Sequence, residues 1–207
     1  MEITEINRDK NHCVKVSFSG GNSVLLDSGF AAESCIRVGE EITEEKIKQL
    51  VSESDYVRAK SRALWFMDRA DHSEKALFEK IIKGGISETA AARAIARLRE
   101  IGVLDDRRYA LRLAERMNES NISKREAYMK LNLKGVPREI INEVLMETEF
   151  DEAQQIRALI DKKYARRLQN GEDTQKVYAA LVRKGFSYSA VREALKSRAE
   201  ELEYMDV

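Results

Sequence analysis

SEKALFEKIIKGGISETAAARAIARL, residues 73–98, is written again as SKREAYMKLNLKGVPREIINEVLMET at 123–148 and as DTQKVYAALVRKGFSYSAVREALKSR at 173–198. The three copies align without a gap at a period of 50 residues. Gly85, Gly135 and Gly185 coincide, as do Phe78, Tyr128 and Tyr178, then Ile81, Leu131 and Leu181, then Ile95, Leu145 and Leu195. A fixed period of this length marks an array of supersecondary units, each of which buries its apolar face by stacking on its neighbours.

Each copy reads as helix, short glycine turn, helix. Leu77, Phe78, Ile81 and Ile82 make one apolar stripe of an amphipathic helix, repeated by Val177, Tyr178, Leu181 and Val182. The middle copy is weaker, with Ala127 and Asn132 at two of these positions. The shared glycine falls where the helix must stop, because glycine enters the left-handed conformation without a Cβ clash. Lys83, Lys134 and Lys184 just before it suit the negative end of the helix dipole. The second helix carries Ala91, Ala94, Ile95 and Leu98, then Ile141, Val144 and Leu145, then Val191, Ala194 and Leu195. Pro137 stands near the first helical position of the middle one, and Ser123 with Glu126 reads as a capping box.

Each copy gains a leading helix. These run roughly Tyr56 to Arg69, with Leu64, Trp65 and Met67 apolar and Trp65 in the core; about Arg107 to Glu119; and about Asp151 to Gln169. Residues 1–54 have a different texture. Cys13, Val14, Val16 and Phe18 alternate with polar residues, Ser19-Gly20-Gly21-Asn22 makes a turn, and Ser23 to Leu26 continues the hairpin. Ser34 to Val38 reads as a third strand, and Thr43 opens a helix with Ile47, Leu50 and Val51 inward. The expected architecture is mostly α: a small β/α module at 1–54, then three-helix repeats at 55–104, 105–150 and 151–207. Stacked units of this kind are elongated and curved. The last of them ends in an acidic tail, Glu200 to Asp206, expected to fray.

Charge narrows the partners. Lys plus Arg and Asp plus Glu are 36 each. Residues 1–55 hold 6 basic and 11 acidic side chains, which leaves 30 basic and 25 acidic in 56–207, so any anionic partner belongs to the repeats. Cys13 and Cys35 read as reduced, half-buried thiols of a cytoplasmic protein, and His12 and His72 are too few and too far apart for a metal set. No apolar run is long enough for a membrane span. No catalytic set and no cofactor motif is visible.

The stretch from Gly102 to Ala110, GVLDDRRYA, resembles the signature of the RecX regulatory family: a helix ending in glycine, Leu-Asp-Asp, two variable residues, then an aromatic and alanine. Ser73 to Leu77 resembles the family's opening to its second helix, and Leu131 with Lys134-Gly135-Val136 resembles its Leu-x-x-Lys-Gly-Ile turn. Arg37 to Ile42 is similar to the N-terminal extension of longer members. His72 stands in place of the usual arginine before Ser73, and Ala76 in place of a glutamate. The resemblance implies a non-enzymatic modulator of RecA, which binds the recombinase filament on single-stranded DNA, lies along its helical groove and inhibits its ATP hydrolysis and strand exchange. It also implies weak DNA binding in some members.

The residues suggest where a partner sits. Arg107, Arg108, Arg112 and Arg116 climb one helix, and Arg108, Arg112 and Arg116 share a face. Lys124, Arg125 and Lys130 follow on the next helix, Lys162, Lys163, Arg166 and Arg167 on the third leading helix, and Arg183 and Lys184 before the last turn. Together they form the expected partner-binding set, for an acidic protein surface or for phosphates. The rival for each is a solvated face paired with Glu115, Glu119 or Glu126. Asp105 and Asp106 read as caps of the following helix, a role worth about 0.5–2 kcal/mol, rather than as catalytic carboxylates. The helix-turn-helix alternative is disfavoured because Glu88-Thr89, Arg138-Glu139 and Tyr188-Ser189 stand where base readers belong. The expected partner is therefore the RecA filament, met by a monomer. The alternatives are single- or double-stranded DNA bound without sequence preference, and a plain helical scaffold for some other protein.

Overall fold

The computed structural model describes residues 1–10, 12–169 and 173–205, with backbone alone at 169 and 202–205. The chain divides into two compact units, Met1–Asp105 and Asp106–Val207.

The first unit opens with an antiparallel sheet of β1 (Ile3–Asp9), β2 (Cys13–Phe18) and β3 (Ser23–Asp27) in that order. The hairpin lies where the alternation of Cys13 to Phe18 placed it, with Gly21 in the left-handed conformation and Phe18 N–H donating to the Asn22 carbonyl. β1 escaped the sequence reading for a physical reason. The register slips between Ile3 and Glu5, so the strand's apolar residues do not alternate, yet Ile3 is fully buried beside Val16, Phe18 and Leu26. Ser34 to Val38 is not a strand. A short helix α1 (Ser28–Glu33) precedes it, and Cys35 at φ 52° turns the chain. Residues 39–42 then run beside β1, with Ile3 N–H donating to the Glu40 carbonyl. Neither cysteine is in a disulfide; Cys13 is buried and Cys35 exposed.

The leading helix of the first repeat and the helix opened by Thr43 are one element. α2 spans Glu44–Met67, and Thr43 Oγ accepts from Lys46 N–H at 3.2 Å. The sequence reading began the first repeat at residue 55, but the helix does not break there. Ser54 is wholly buried and its hydroxyl accepts from Asp27 N–H at 2.7 Å, while Asp55 pairs with Arg58 at 3.0 Å. The first half of α2 therefore closes the sheet core through Leu50, and the second half packs on α3 (Glu74–Lys83) and α4 (Glu88–Glu100). The α2–α4 seam is made of small residues, Ala59 and Ala63 against Ala90, Ala91 and Ala94, which lets the helices approach closely. Ser54→Ala leaves the half-buried Asp27 N–H without an acceptor. We expect a loss of about 1–3 kcal/mol, read from urea denaturation, and no loss would mean that this bond does not hold the sheet to α2.

Trp65 is not in the core. It is 49% exposed, with the Arg69 guanidinium 3.7 Å from its ring centroid and Phe66 edge-on at 5.1 Å. The inner positions of this part of α2 are Ala59 and Ala63, and residue 65 falls about 200° round the helix from 63.

The second unit holds α5 (Asp106–Glu119), α6 (Lys124–Leu133), α7 (Arg138–Glu147), α8 (Glu152–Leu159), α9 (Ala165–Gln169), α10 (Thr174–Arg183) and α11 (Tyr188–Met205). The 50-residue period reappears as burial. Leu77, Ala127 and Val177 are buried, as are Ile81, Leu131 and Leu181, and then Ala91, Ile141 and Val191. Each copy has its own apolar cluster, so the mostly helical array of three-helix repeats with a small N-terminal sheet is the fold of this chain. Pro137 is the N-cap of α7, one position earlier than expected.

Between α8 and α9 the helix widens into a π-turn, Ile160–Tyr164, where an unbroken α-helix was expected. At about 100° per residue, Leu168 lies about 120° out of phase with Ile156. One extra residue absorbed in the wider turn brings the two to within about 20°, and both are buried in the third cluster. The tail continues α11 as helix to Met205 rather than fraying, and Asp206 lies outside the described residues. No helix among the described residues is long and apolar enough to cross a membrane.

Candidate functional site

The cations expected to meet a partner lie on α5, α6, α10 and the π-turn with α9. On α5 the residues facing the core are Tyr109, Ala110, Ala114 and Met117. The spacing of four that separates Arg108, Arg112 and Arg116 then sets all three on the exposed side, about 6 Å apart along the axis. Arg107 is exposed as well, but its guanidinium donates to both Glu147 carboxylate oxygens at 2.6 Å, so it is held within the repeat. Asp105 stands immediately before α5, and Asp106 is its first residue and buried. Carboxylates there favour the positive end of the helix.

Lys130 is also an intramolecular partner, 2.8 Å from Glu126 one turn away. The expected capping box is consequently one-armed: the Ser123 hydroxyl accepts from Glu126 N–H at 3.1 Å, while the Glu126 carboxylate turns to Lys130. Ser123 has a second task. Its hydroxyl donates to the Lys184 carbonyl at 2.5 Å, at the C-terminal end of α10. The Lys184-Gly185 turn therefore sits on the N-terminus of α6, which brings Lys124 and Arg125 of the second copy beside Lys184 of the third. Arg183 is exposed and donates from Nε to the Ala179 carbonyl at 3.4 Å.

Two further contacts hold the third copy, the first within it and the second to the copy before it. The Glu152 carboxylate accepts from Ser187 N–H and from Ser187 Oγ at 2.9 Å. Gln155, a buried amide, donates from Nε2 to Asn118 Oδ1 at 2.7 Å and to the Ile122 carbonyl at 3.3 Å. Neither contact was legible in the sequence, because the partners are 33 to 37 residues apart.

Lys162 and Lys163 on the π-turn and Arg166 and Arg167 on α9 are all exposed. Near them the Asp173 carboxyl is held below the ordinary carboxylate range, first by its hydrogen bond from Lys176 and then by the charges of Lys176 and Arg167. It therefore remains ionised through the neutral range. The expected set thus forms three groups, exposed except for the half-buried Lys184 and Lys130, and Arg107 and Lys130 pair with Glu147 and Glu126.

The sequence reading missed the exposed apolar residues Met129, Met146 and Tyr188. The signal was present in the phase. Met129 falls outside the Ala127–Leu131 stripe of α6, and Met146 follows Leu145, about 100° off the buried line of α7.

Comparison with known proteins agrees with the helical-repeat fold. Residues 59–98 match the family model for the first three-helix domain of RecX, and residues 151–195 match the model for its third. "Regulatory protein RecX" of Caldanaerobacter subterraneus subsp. tengcongensis is 30% identical over 94% of this chain and 98% of its own length. "Regulatory protein RecX" of Clostridium tetani is 27% identical over 99% of this chain and 96% of that protein. A crystal structure titled as regulatory protein RecX superposes with a TM-score of 0.66 at 22% identity, covering 95% of this chain and 98% of the other, a likeness of fold.

Proposed function

This chain belongs to the RecX family of regulatory proteins, and from that membership we propose that it binds the RecA filament on single-stranded DNA and inhibits its ATP hydrolysis and strand exchange, without catalysing a reaction itself. The observation that carries the reading is the end-to-end match to a regulatory protein. The surface we assign to the contact is the exposed face of Arg108, Arg112 and Arg116, extended by Lys124, Arg125 and the group Lys162, Lys163, Arg166 and Arg167. Such cations complement an acidic protein surface and steer its encounter. A partner of this kind places the protein in the cytoplasm.

The test is the single-stranded-DNA-dependent ATPase of RecA from the same source, titrated with this protein while DNA is in excess over both. Inhibition well below one molecule per RecA protomer is the expected result, and competition for DNA cannot produce it. Inhibition only once the protein coats the DNA would overturn the reading and leave phosphates as the target.

A further inference from the structure

The second and third copies enclose an open groove of about 1080 Å³ that the charged set does not explain. Its walls are apolar, built from Leu145, Phe150 and Phe186. Its edges are Met129, Met146 and Tyr188, which are 55%, 80% and 67% exposed. Side chains of this size gain from leaving water, and clustered exposed apolar surface marks an interaction site. Methionine is suited to such a surface, because its unbranched thioether repacks around different partners.

The electrostatics of the groove are one-sided. Lys124 and Arg125 line it from the first turn of α6, where the helix dipole adds positive potential. Among the described residues neither is in an ion pair, whereas Arg107 and Lys130 nearby in sequence both are. Glu152, the carboxylate that lines the groove, is engaged by Ser187. What remains for an occupant is an apolar trough with a cationic end.

We propose that this groove receives an amphipathic helix of the protein partner, one that lays large aliphatic side chains at helical spacing into the trough and sets carboxylates against Lys124 and Arg125. The inference deepens the functional reading above and rests on the partner being a protein. Two cations at one helix end are too few to track a nucleic acid backbone, and walls of leucine, methionine and phenylalanine match aliphatic side chains.

Two measurements test it. The first uses a fluorescein-labelled helical peptide with leucines at i, i+3, i+4 and i+7 and glutamates at its C-terminal end, followed by anisotropy. We expect the wild-type protein to bind it, the Met129→Asp, Met146→Asp double variant to bind about tenfold or more weakly, and a peptide with lysines for glutamates to bind more weakly than the acidic one. Both substituted residues are exposed, so thermal melting should be unchanged. Absence of binding by the wild type, or equal binding by the double variant, overturns the proposal. The second is the RecA ATPase titration with the same variant. We expect an equal loss of inhibitory potency with unchanged affinity for bare single-stranded DNA. Potency that survives in the variant, or a variant that loses bare-DNA affinity in parallel, overturns the groove as the docking site. So does a wild-type dimer by sedimentation that the variant disrupts while still inhibiting, since a second copy is then the occupant. A wild type that binds the peptide but leaves RecA untouched supports the groove and sinks only the filament reading.

Discussion

Gly185→Ala should destabilise the protein by about 2–5 kcal/mol, whereas Gly85→Ala should cost only about 1–2 kcal/mol. The two glycines occupy the same position of the repeat and both have positive φ, 91° and 80°. Backbone strain on adding a Cβ is therefore nearly equal. The surroundings differ. A Cβ at Gly85 meets nothing within 4 Å, but at Gly185 it meets Ser123 Oγ at 2.7 Å, Arg125 Cβ at 3.1 Å and Glu126 N at 3.4 Å. Ser123 cannot turn away cheaply, because the same hydroxyl caps α6 and bonds the Lys184 carbonyl. Urea denaturation of both variants decides the matter. Equal losses would mean that the turn and the N-terminus of α6 are not pressed together.

Reversing Arg108, Arg112 and Arg116 together to glutamate should leave the fold intact and weaken inhibition of the RecA ATPase roughly ten- to hundredfold. The three side chains are exposed on one side of α5, and the apolar residues that α5 buries are on the other. Each exposed charge contributes a fraction of a kcal/mol, and reversal replaces attraction by repulsion at three points. Arg107→Glu is the informative control: it breaks the pair with Glu147 and so acts on the repeat itself. A triple variant that unfolds would refute the assignment of the face. One that folds and inhibits fully would remove α5 from the contact. If the surface instead tracks phosphates, the triple variant binds DNA with a flatter dependence on salt.

The residues of the proposed arginine face and of the groove were not equally legible in the sequence. Arg108, Arg112 and Arg116 could be placed from spacing alone, since a helix repeats its face every three to four residues. Lys130 and Arg107 belong to the same set by sequence, and only the tertiary structure shows that they pair with Glu126 and Glu147. Trp65 looked like core because it is large and apolar, yet the α2–α4 seam is filled by alanines and leaves the indole outside under Arg69.

The period of 50 residues, the helix stripes and the turn glycines determine the three-helix repeats, because burial on one face and a left-handed stop are local requirements. Tertiary structure alone decided the rest: that α2 runs unbroken from the sheet into the first repeat, that a π-turn restores the phase of Leu168, and that Ser123 meets the Lys184-Gly185 turn. Those outcomes depend on partners far away in the chain, and no local pattern specifies which distant group will satisfy a buried hydroxyl or fill the space beside a glycine.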